Sequence, residues 1–162
     1  MFLHGIGKMG APMGIGEICR KDVAVAYKPM VLSEAARVMR DRHVGCLVVV
    51  EETDRGRIPI GMLTDRDITV AVVACDLDAR NITVGEVMNT NPVTVREEDT
   101  LVDALRLMRR RGVRRLPVVT REGVLAGIVT LDDLLTSAAR ELGELAAAIR
   151  TEQAEEMRAR PQ

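Results

Sequence analysis

Two seven-residue segments combine a glycine, two apolar residues, a threonine and an aspartate in the same order. They read GMLTDRD at residues 61–67 and GIVTLDD at residues 127–133. A threonine at a helix N-cap accepts a hydrogen bond from the third helical residue, and an acid at that residue bonds back to the cap. The N–H groups of a helix N-terminus also attract phosphate, and a carboxylate can accept hydrogen bonds from both ribose hydroxyls. The segments therefore predict either plain helix caps or two nucleotide sites.

Both segments belong to an internal repeat that covers most of the chain. IGEIC begins at residue 15 and VGEVM at residue 84, and the same shift of 69 positions aligns LVVV at 47–50 with LPVV at 116–119. The shift becomes 66 at the second glycine, because the first copy has three extra residues in its polar stretch EETDRGR. A length change confined to a turn indicates two copies of one fold.

Hydrophobic periodicity predicts the same elements in both copies. An extended segment precedes a helix, a hairpin of two strands follows, and a second helix begins at the threonine. The predicted bounds are 23–26, 32–42, 44–50 and 58–63 in copy one, and 93–95, 101–111, 113–119 and 124–129 in copy two. The β-α-β-β-α order predicts an α/β (α+β) fold in which two three-stranded sheets pack against each other with pseudo-two-fold symmetry.

The predicted domains follow from the repeat. They are a flexible N-terminal arm at 1–14, a first domain at 15–80, a second at 81–137 and a helical extension at 138–162. The arm contains GIGKMG, which has dinucleotide-site spacing but lacks the preceding strand that such a site needs. His43 occupies the position of Gly112, where a left-handed conformation is expected to end the first helix.

Composition limits the possible functions of the 162 residues. A hydrophobic fraction of 47% predicts a sizeable core, and a formal net charge of -1 argues against nucleic acid or an anionic membrane as a partner. No apolar run approaches the roughly 20 residues of a membrane span. The three cysteines form no Cys-x-x-Cys pair, which predicts reduced thiols and a cytoplasmic location. We expect no metal, since His43 and Cys46 are only two ligands.

Two tandem copies of this order, each ending in Gly-h-h-Thr-x-x-Asp where h is apolar, resemble a pair of cystathionine-β-synthase (CBS) domains, called a Bateman module. The resemblance covers about residues 15–137. It implies that AMP, ADP, ATP or S-adenosylmethionine binds in clefts between the domains. It also implies a regulatory role toward a protein that the sequence does not identify, without a cofactor.

The resemblance implies one nucleotide site for each copy. Basic residues at the positions of Arg114 and Arg115 reach phosphates in this family, whereas Gly45 and Cys46 stand there in copy one. We therefore expect the second site to bind phosphorylated ligands more tightly. Strand alternation predicts that at most one arginine points into a given cleft. The predicted second site comprises Val93, Thr94, Arg114, Arg115, Leu116, Pro117, Ile128, Thr130 and Asp133. The weaker first site comprises Ala24, Val25, Cys46, Leu47, Met62, Thr64 and Asp67.

An apolar stripe continues from the second copy into the C-terminal segment, far beyond the end of the equivalent helix in copy one. Such a stripe favours a homodimer. It comprises Leu131, Leu134, Leu135, Ala138, Ala139, Leu142, Leu145, Ala146 and Ile149.

Two other functions remain open from the residues alone. The Thr-x-x-Asp pairs are equally compatible with a ligand-free structural or interaction module that dimerises or docks on a partner protein. The arginines between Arg109 and Arg115 are compatible with nucleic-acid binding, although the balanced charge argues against it. We do not expect an enzyme, because the sequence shows no Ser/His/Asp or Cys/His constellation and has only two histidines.

Overall fold

The structure is a computed structural model that describes residues 13–159. The glycine-rich segment at 5–10 and nearly all of the predicted arm lie outside the described residues. Within them, the repeat predicted from the sequence appears as two β-sheets, each flanked by helices. No helix of the described part is both long enough and apolar enough to cross a membrane.

The first sheet has four strands in the order β1-β2-β3-β4. β1 runs parallel to β2, and the other neighbours are antiparallel. Its strands are β1 (Val25–Ala26), β2 (Cys46–Thr53), β3 (Gly56–Thr64) and β4 (Asn89–Thr90). The helices of this half are α2 (Leu32–Arg42) and α3 (Asp65–Ala71), followed by a 3-10 turn at Val73–Cys75. The fourth strand comes from the start of copy two, which the sequence did not predict.

The second sheet has three strands in the order β5-β6-β7, with the same parallel and antiparallel pairing. Its strands are β5 (Val95–Arg96), β6 (Arg115–Val119) and β7 (Leu125–Thr130). Its helices are α5 (Leu101–Arg111) and α6 (Leu131–Ala159). Two short helices, α1 (Ile15–Ile18) and α4 (Val84–Val87), are the first elements of the two copies. Both α2 and α5 begin and end at the predicted residues.

The ends of α2 and α5 use the left-handed conformation. His43 has φ 52° and Gly112 has φ 65°. The N–H of the residue after each of them donates to a carbonyl in the last helical turn, Val44 to Met39 at 3.0 Å and Val113 to Met108 at 3.1 Å. The prediction that His43 ends its helix is confirmed, and the chain turns there directly into the next strand.

The short helices α1 and α4 pack on the opposite copy. The Ile15 N–H donates to the Asp99 carbonyl at 2.9 Å, and the Val84 N–H donates to the Met30 carbonyl at 2.8 Å. Ile15 is fully buried in the core of the second half, and Val84 is fully buried in the core of the first. The two halves therefore exchange their leading segments, which links the two cores within one chain.

Glycine is required where each exchanged segment crosses a strand. A Cβ on Gly127 would lie 2.6 Å from Cys19 Sγ and 2.9 Å from the Arg20 carbonyl oxygen. A Cβ on Gly61 would lie 2.7 Å from Met88 Sδ. The protein's own exchanged segments therefore occupy the space beside both glycines.

We predict that Gly127→Ala lowers the free energy of unfolding by about 1–3 kcal/mol, because the added methyl overpacks against the Arg20 backbone. Gly143→Ala is the control. A Cβ there meets no atom of the described residues within 4 Å, and alanine in a helix interior should stabilise by up to about 1 kcal/mol. Urea unfolding of both variants measures the difference, and equal stabilities would contradict the close crossing.

The helix α6 extends well beyond the second sheet. Its 29 residues span about 43 Å at 1.5 Å per residue. Leu134 is fully buried and Ser137 is 7% exposed, but the large apolar side chains that follow are open to solvent. They are Leu142, Leu145, Ile149 and Met157. The predicted extension is therefore one continuous helix with the last helix of copy two.

Candidate functional site

Each Thr-x-x-Asp segment forms a closed capping box. In copy two, the Thr130 hydroxyl donates to Asp133 Oδ2 at 2.7 Å, the Thr130 N–H donates to the same oxygen at 2.9 Å, and the Asp133 N–H donates to Thr130 Oγ at 3.2 Å. In copy one, the equivalent distances for Thr64 and Asp67 are 2.7, 2.8 and 3.1 Å. Helix capping is therefore present at both sites, and any ligand must use what the caps leave free.

The caps leave few backbone donors for a phosphate. The N–H of Leu131, the first residue of α6, donates to the Arg114 carbonyl at 2.9 Å. The N–H of Asp133, the third residue, is held by Thr130 Oγ. Two of the first three N–H groups of α6 thus already have protein acceptors, so side chains must supply most of any phosphate contact.

The aspartates receive a second partner from the exchanged segments. Arg20 donates through Nε and Nη2 to Asp133 Oδ1, at 3.1 and 2.9 Å. Asn89, which occupies the equivalent position of the repeat, donates from Nδ2 to Asp67 Oδ2 at 3.3 Å. Copy two therefore has an ion pair where copy one has a neutral amide.

The Asp133 carboxyl is ionised at neutral pH. Burial acts to raise its pKa, but hydrogen bonds from the Thr130 hydroxyl and backbone and from Arg20 outweigh burial and lower the pKa. A carboxylate that stays charged in a half-buried position is a strong acceptor for hydroxyl groups.

A cleft of about 530 Å³ opens beside Thr130, between the two halves of the molecule. We call it the Thr130 cleft. It combines the Thr130 end of β7 in copy two with residues just before β1 and at the start of β2 in copy one. Its lining residues are Arg20, Asp22, Ala24, Arg42, His43, Val44, Gly45, Cys46, Arg114, Arg115, Ile128, Thr130 and Asp132.

A second cleft of about 430 Å³, the Thr64 cleft, has the converse composition. It combines the Thr64 end of β3 in copy one with residues around β4 and at the start of β6 in copy two. Its lining residues are Met62, Thr64, Asn89, Thr90, Asn91, Pro92, Val93, Val113, Arg114 and Arg115. Both arginines line both clefts, so strand alternation does not assign one of them to each.

The clefts bring together residues that the sequence assigned to different sites. Ala24 and Cys46, predicted for the first site, lie in the Thr130 cleft, whereas Val93, predicted for the second site, lies in the Thr64 cleft. Thr94 lines a separate surface cavity beside Lys28. Asp67 lies in its capping box next to Asn89.

Three predicted site residues are buried in the cores or strands. Leu47 and Leu116 are fully buried, and Pro117 is buried in β6. Val25 is half-buried in β1, where it pairs with Val48.

Some charged side chains of the Thr130 cleft form ion pairs, and others do not. Arg42 donates to Asp22 at 2.6 Å, and Arg20 is held by Asp133. Within residues 13–159, Arg114 and Arg115 make no salt bridge. The two unpaired guanidinium groups give the cleft a positive wall that suits phosphate.

Part of the lining of the Thr130 cleft is uncharged. Ala24 and Ile128 are apolar, and burial raises the pKa of the Cys46 thiol, against the nearby Arg115 and together with Asp65, so that the thiol stays protonated. Among residues 13–159, no group of three or more His, Cys, Asp or Glu side chains is placed to hold a metal ion.

Sequence reasoning missed Arg20, Asp22 and Asn89, because it looked for site residues only after the start of each first strand. The repeat register contained a signal, since Arg20 and Asn89 are equivalent positions, each a few residues before the extended segment predicted for its copy. The exchange of α1 and α4 that carries them across to the other copy was not visible in the register.

Comparison with known proteins agrees with this architecture. The family model of the CBS domain matches residues 15–74 and 84–140. An uncharacterized protein of Methanopyrus kandleri is 35% identical over 123 residues, which are 76% of this chain and 61% of that protein. The chain thus spans less than two thirds of the length of that relative.

Several solved structures share the fold at 25% identity or more, and two of them were solved with a bound metal or ligand. Hypoxic Response Protein I, solved with two coordinated zinc ions, is 32% identical with a TM-score of 0.66, and the alignment covers 76% of this chain and 97% of that one. CBSX2, solved in complex with AMP, is 25% identical with a TM-score of 0.64, and the alignment covers 78% of this chain and 96% of that one.

Proposed function

Because the chain belongs to the CBS-domain family, we propose that it is a regulatory module that binds an adenosine-containing ligand in the Thr130 cleft. The candidate ligands are AMP, ADP, ATP and S-adenosylmethionine. The observation that carries the proposal is that Arg114 and Arg115, which make no salt bridge within the described residues, share the cleft with several uncharged side chains and lie near an ionised carboxylate. The AMP bound to CBSX2 supports the choice of ligand class.

Each part of a nucleotide has a chemical counterpart in the cleft. Arg114 and Arg115 offer planar forks to phosphate oxygens. Asp133 offers an acceptor for ribose hydroxyls. Ala24, Cys46 and Ile128 offer small uncharged surfaces between which an adenine ring can lie. The volume of about 530 Å³ falls within the usual range of small-molecule sites.

The ligand-free interaction module is the alternative function. Its support is the capping boxes, which satisfy the Thr-x-x-Asp residues without any ligand. The two functions differ in one measurable property, because only a nucleotide-binding module gains stability from nucleotide.

We expect AMP, ADP or ATP to raise the melting temperature by several degrees. A ligand that binds only the folded state adds about 2.7 kcal/mol at one hundred times its dissociation constant. Differential scanning calorimetry at millimolar ligand measures the shift, with S-adenosylmethionine as the fourth candidate and inorganic phosphate as the control for ionic effects. If none of the four adenosyl compounds moves the midpoint beyond the phosphate control, the proposed function is wrong.

We also propose that the protein is a homodimer joined through α6. Beyond Ser137 most of the described side chains of the helix are exposed, and helices in proteins draw most of their stability from packing of an apolar face. Leu135, Leu142 and Ile149 lie seven residues apart, and Ala138 and Leu145 fall between them at coiled-coil spacing. A second copy carries the same stripe, so a two-fold axis pairs it with itself.

A further inference from the structure

Both carboxylate oxygens of Asp133 are engaged in the structure. Oδ2 accepts the Thr130 hydroxyl and N–H, and Oδ1 accepts Nε and Nη2 of Arg20. The oxygen that remains after capping is therefore the one that Arg20 covers. A ribose cannot hydrogen-bond to Oδ1 in full unless the guanidinium of Arg20 moves.

Arg20 also stands between two cavities. On one side lies the Thr130 cleft, and on the other lies a cavity of about 380 Å³ that Asp133 and Ser137 line. The Ser137 hydroxyl is buried and has no hydrogen-bond partner among the described residues. Withdrawal of the Arg20 side chain would open the Thr130 cleft toward Asp133.

The arginine is free to withdraw. Its side chain is 68% exposed, whereas that of Asp133 is 12% exposed. A guanidinium near the surface exchanges a carboxylate for another anion with little loss of hydration. Its backbone is fixed, because Arg20 and Ile128 exchange N–H to carbonyl bonds at 2.9 and 3.0 Å. Only the side chain has to rotate, and Arg20 lines the same cleft as Arg114 and Arg115.

We propose that Arg20 is a displaceable clamp that makes the Thr130 cleft select phosphorylated ligands over the bare nucleoside, an inference that rests on the proposed function. A nucleotide replaces the guanidinium on Asp133 with ribose hydroxyls and offers its phosphate to the displaced Arg20. Adenosine breaks the same ion pair and offers no anion in return. Copy one has no such selection, because Asn89 is neutral and bonds to Asp67 at 3.3 Å.

The test compares AMP and adenosine by calorimetric titration of the wild type and Arg20→Asn, which copies the residue of copy one. The clamp predicts that the preference of the tight site for AMP over adenosine falls about tenfold or more in the variant, since the guanidinium that binds the phosphate of AMP is lost, whereas removal of the competing ion pair favours both ligands alike. Adenosine alone should bind the variant at least as tightly as the wild type.

Lys21→Asn is the matched control. It removes the same charge one residue away, where Lys21 pairs with Glu97 at 2.8 Å outside the Thr130 cleft. Its preference for AMP should equal that of the wild type. Arg20→Gln serves as a second variant, and thermal melting without ligand confirms that each protein is folded.

The outcomes separate the clamp from the nucleotide site itself. If the wild type binds AMP and neither Arg20 variant changes the preference, the clamp is wrong and the proposed function stands. An equal loss of preference in Lys21→Asn would assign the effect to general electrostatics and also overturn the clamp. If the wild type binds neither compound, both the clamp and the proposed function fail.

Discussion

Asp133→Ala should remove the tight phase of AMP and ATP binding, while Asp67→Ala should retain it. Asp133 lies beside the Thr130 cleft, whose wall carries the unpaired Arg114 and Arg115. Loss of charge-assisted hydrogen bonds worth about 1.5–3 kcal/mol corresponds to a roughly ten- to hundredfold loss of affinity. Isothermal titration calorimetry of both variants measures it.

Asp67→Ala is a matched control for helix capping. Each substitution removes the two capping bonds that the carboxylate accepts from the threonine hydroxyl and N–H, and should cost about 1 kcal/mol of stability. A difference in ligand affinity between the variants therefore reports on the clefts and not on the helices. Equal losses, or a larger loss in Asp67→Ala, would place the tight site in the Thr64 cleft, which Arg114 and Arg115 also line.

Leu142→Glu should convert the proposed dimer into a monomer. The Leu142 side chain is 66% exposed in the single chain and lies in the middle of the apolar stripe of α6. A two-fold interface contains the residue twice, and burying each leucine contributes about 1.5–3 kcal/mol, so the substitution should weaken association at least about a hundredfold. Sedimentation at tens of micromolar protein measures the mass.

Thr151→Glu is the control for the added charge. Thr151 is exposed on α6 and lies outside the stripe of Leu135, Leu142 and Ile149. This variant should sediment as the wild type does. A wild-type protein that sediments as a monomer at this concentration would show that the stripe is not a dimer interface. A different partner would then have to cover the apolar stripe of α6.

Local sequence rules accounted for the elements of the fold. The bounds of α2 and α5, the capping boxes at Thr64 and Thr130, and the left-handed end at His43 were all predicted from neighbouring residues. These features depend on hydrogen bonds between residues at most a few positions apart, so the local sequence determines them independently of the rest of the fold. The internal repeat then determined that these elements occur twice.

Only the tertiary structure decided which residues share a cleft. Arg20 and Asp133 are 113 positions apart, and they meet because α1 crosses to the second half and places Arg20 against β7. The repeat register places Arg20 and Asn89 at equivalent positions but is the same whether the leading segments pack on their own copy or on the other. Burial of Ile15 and Val84 in the opposite cores decides between the two, and burial depends on packing that no local pattern specifies.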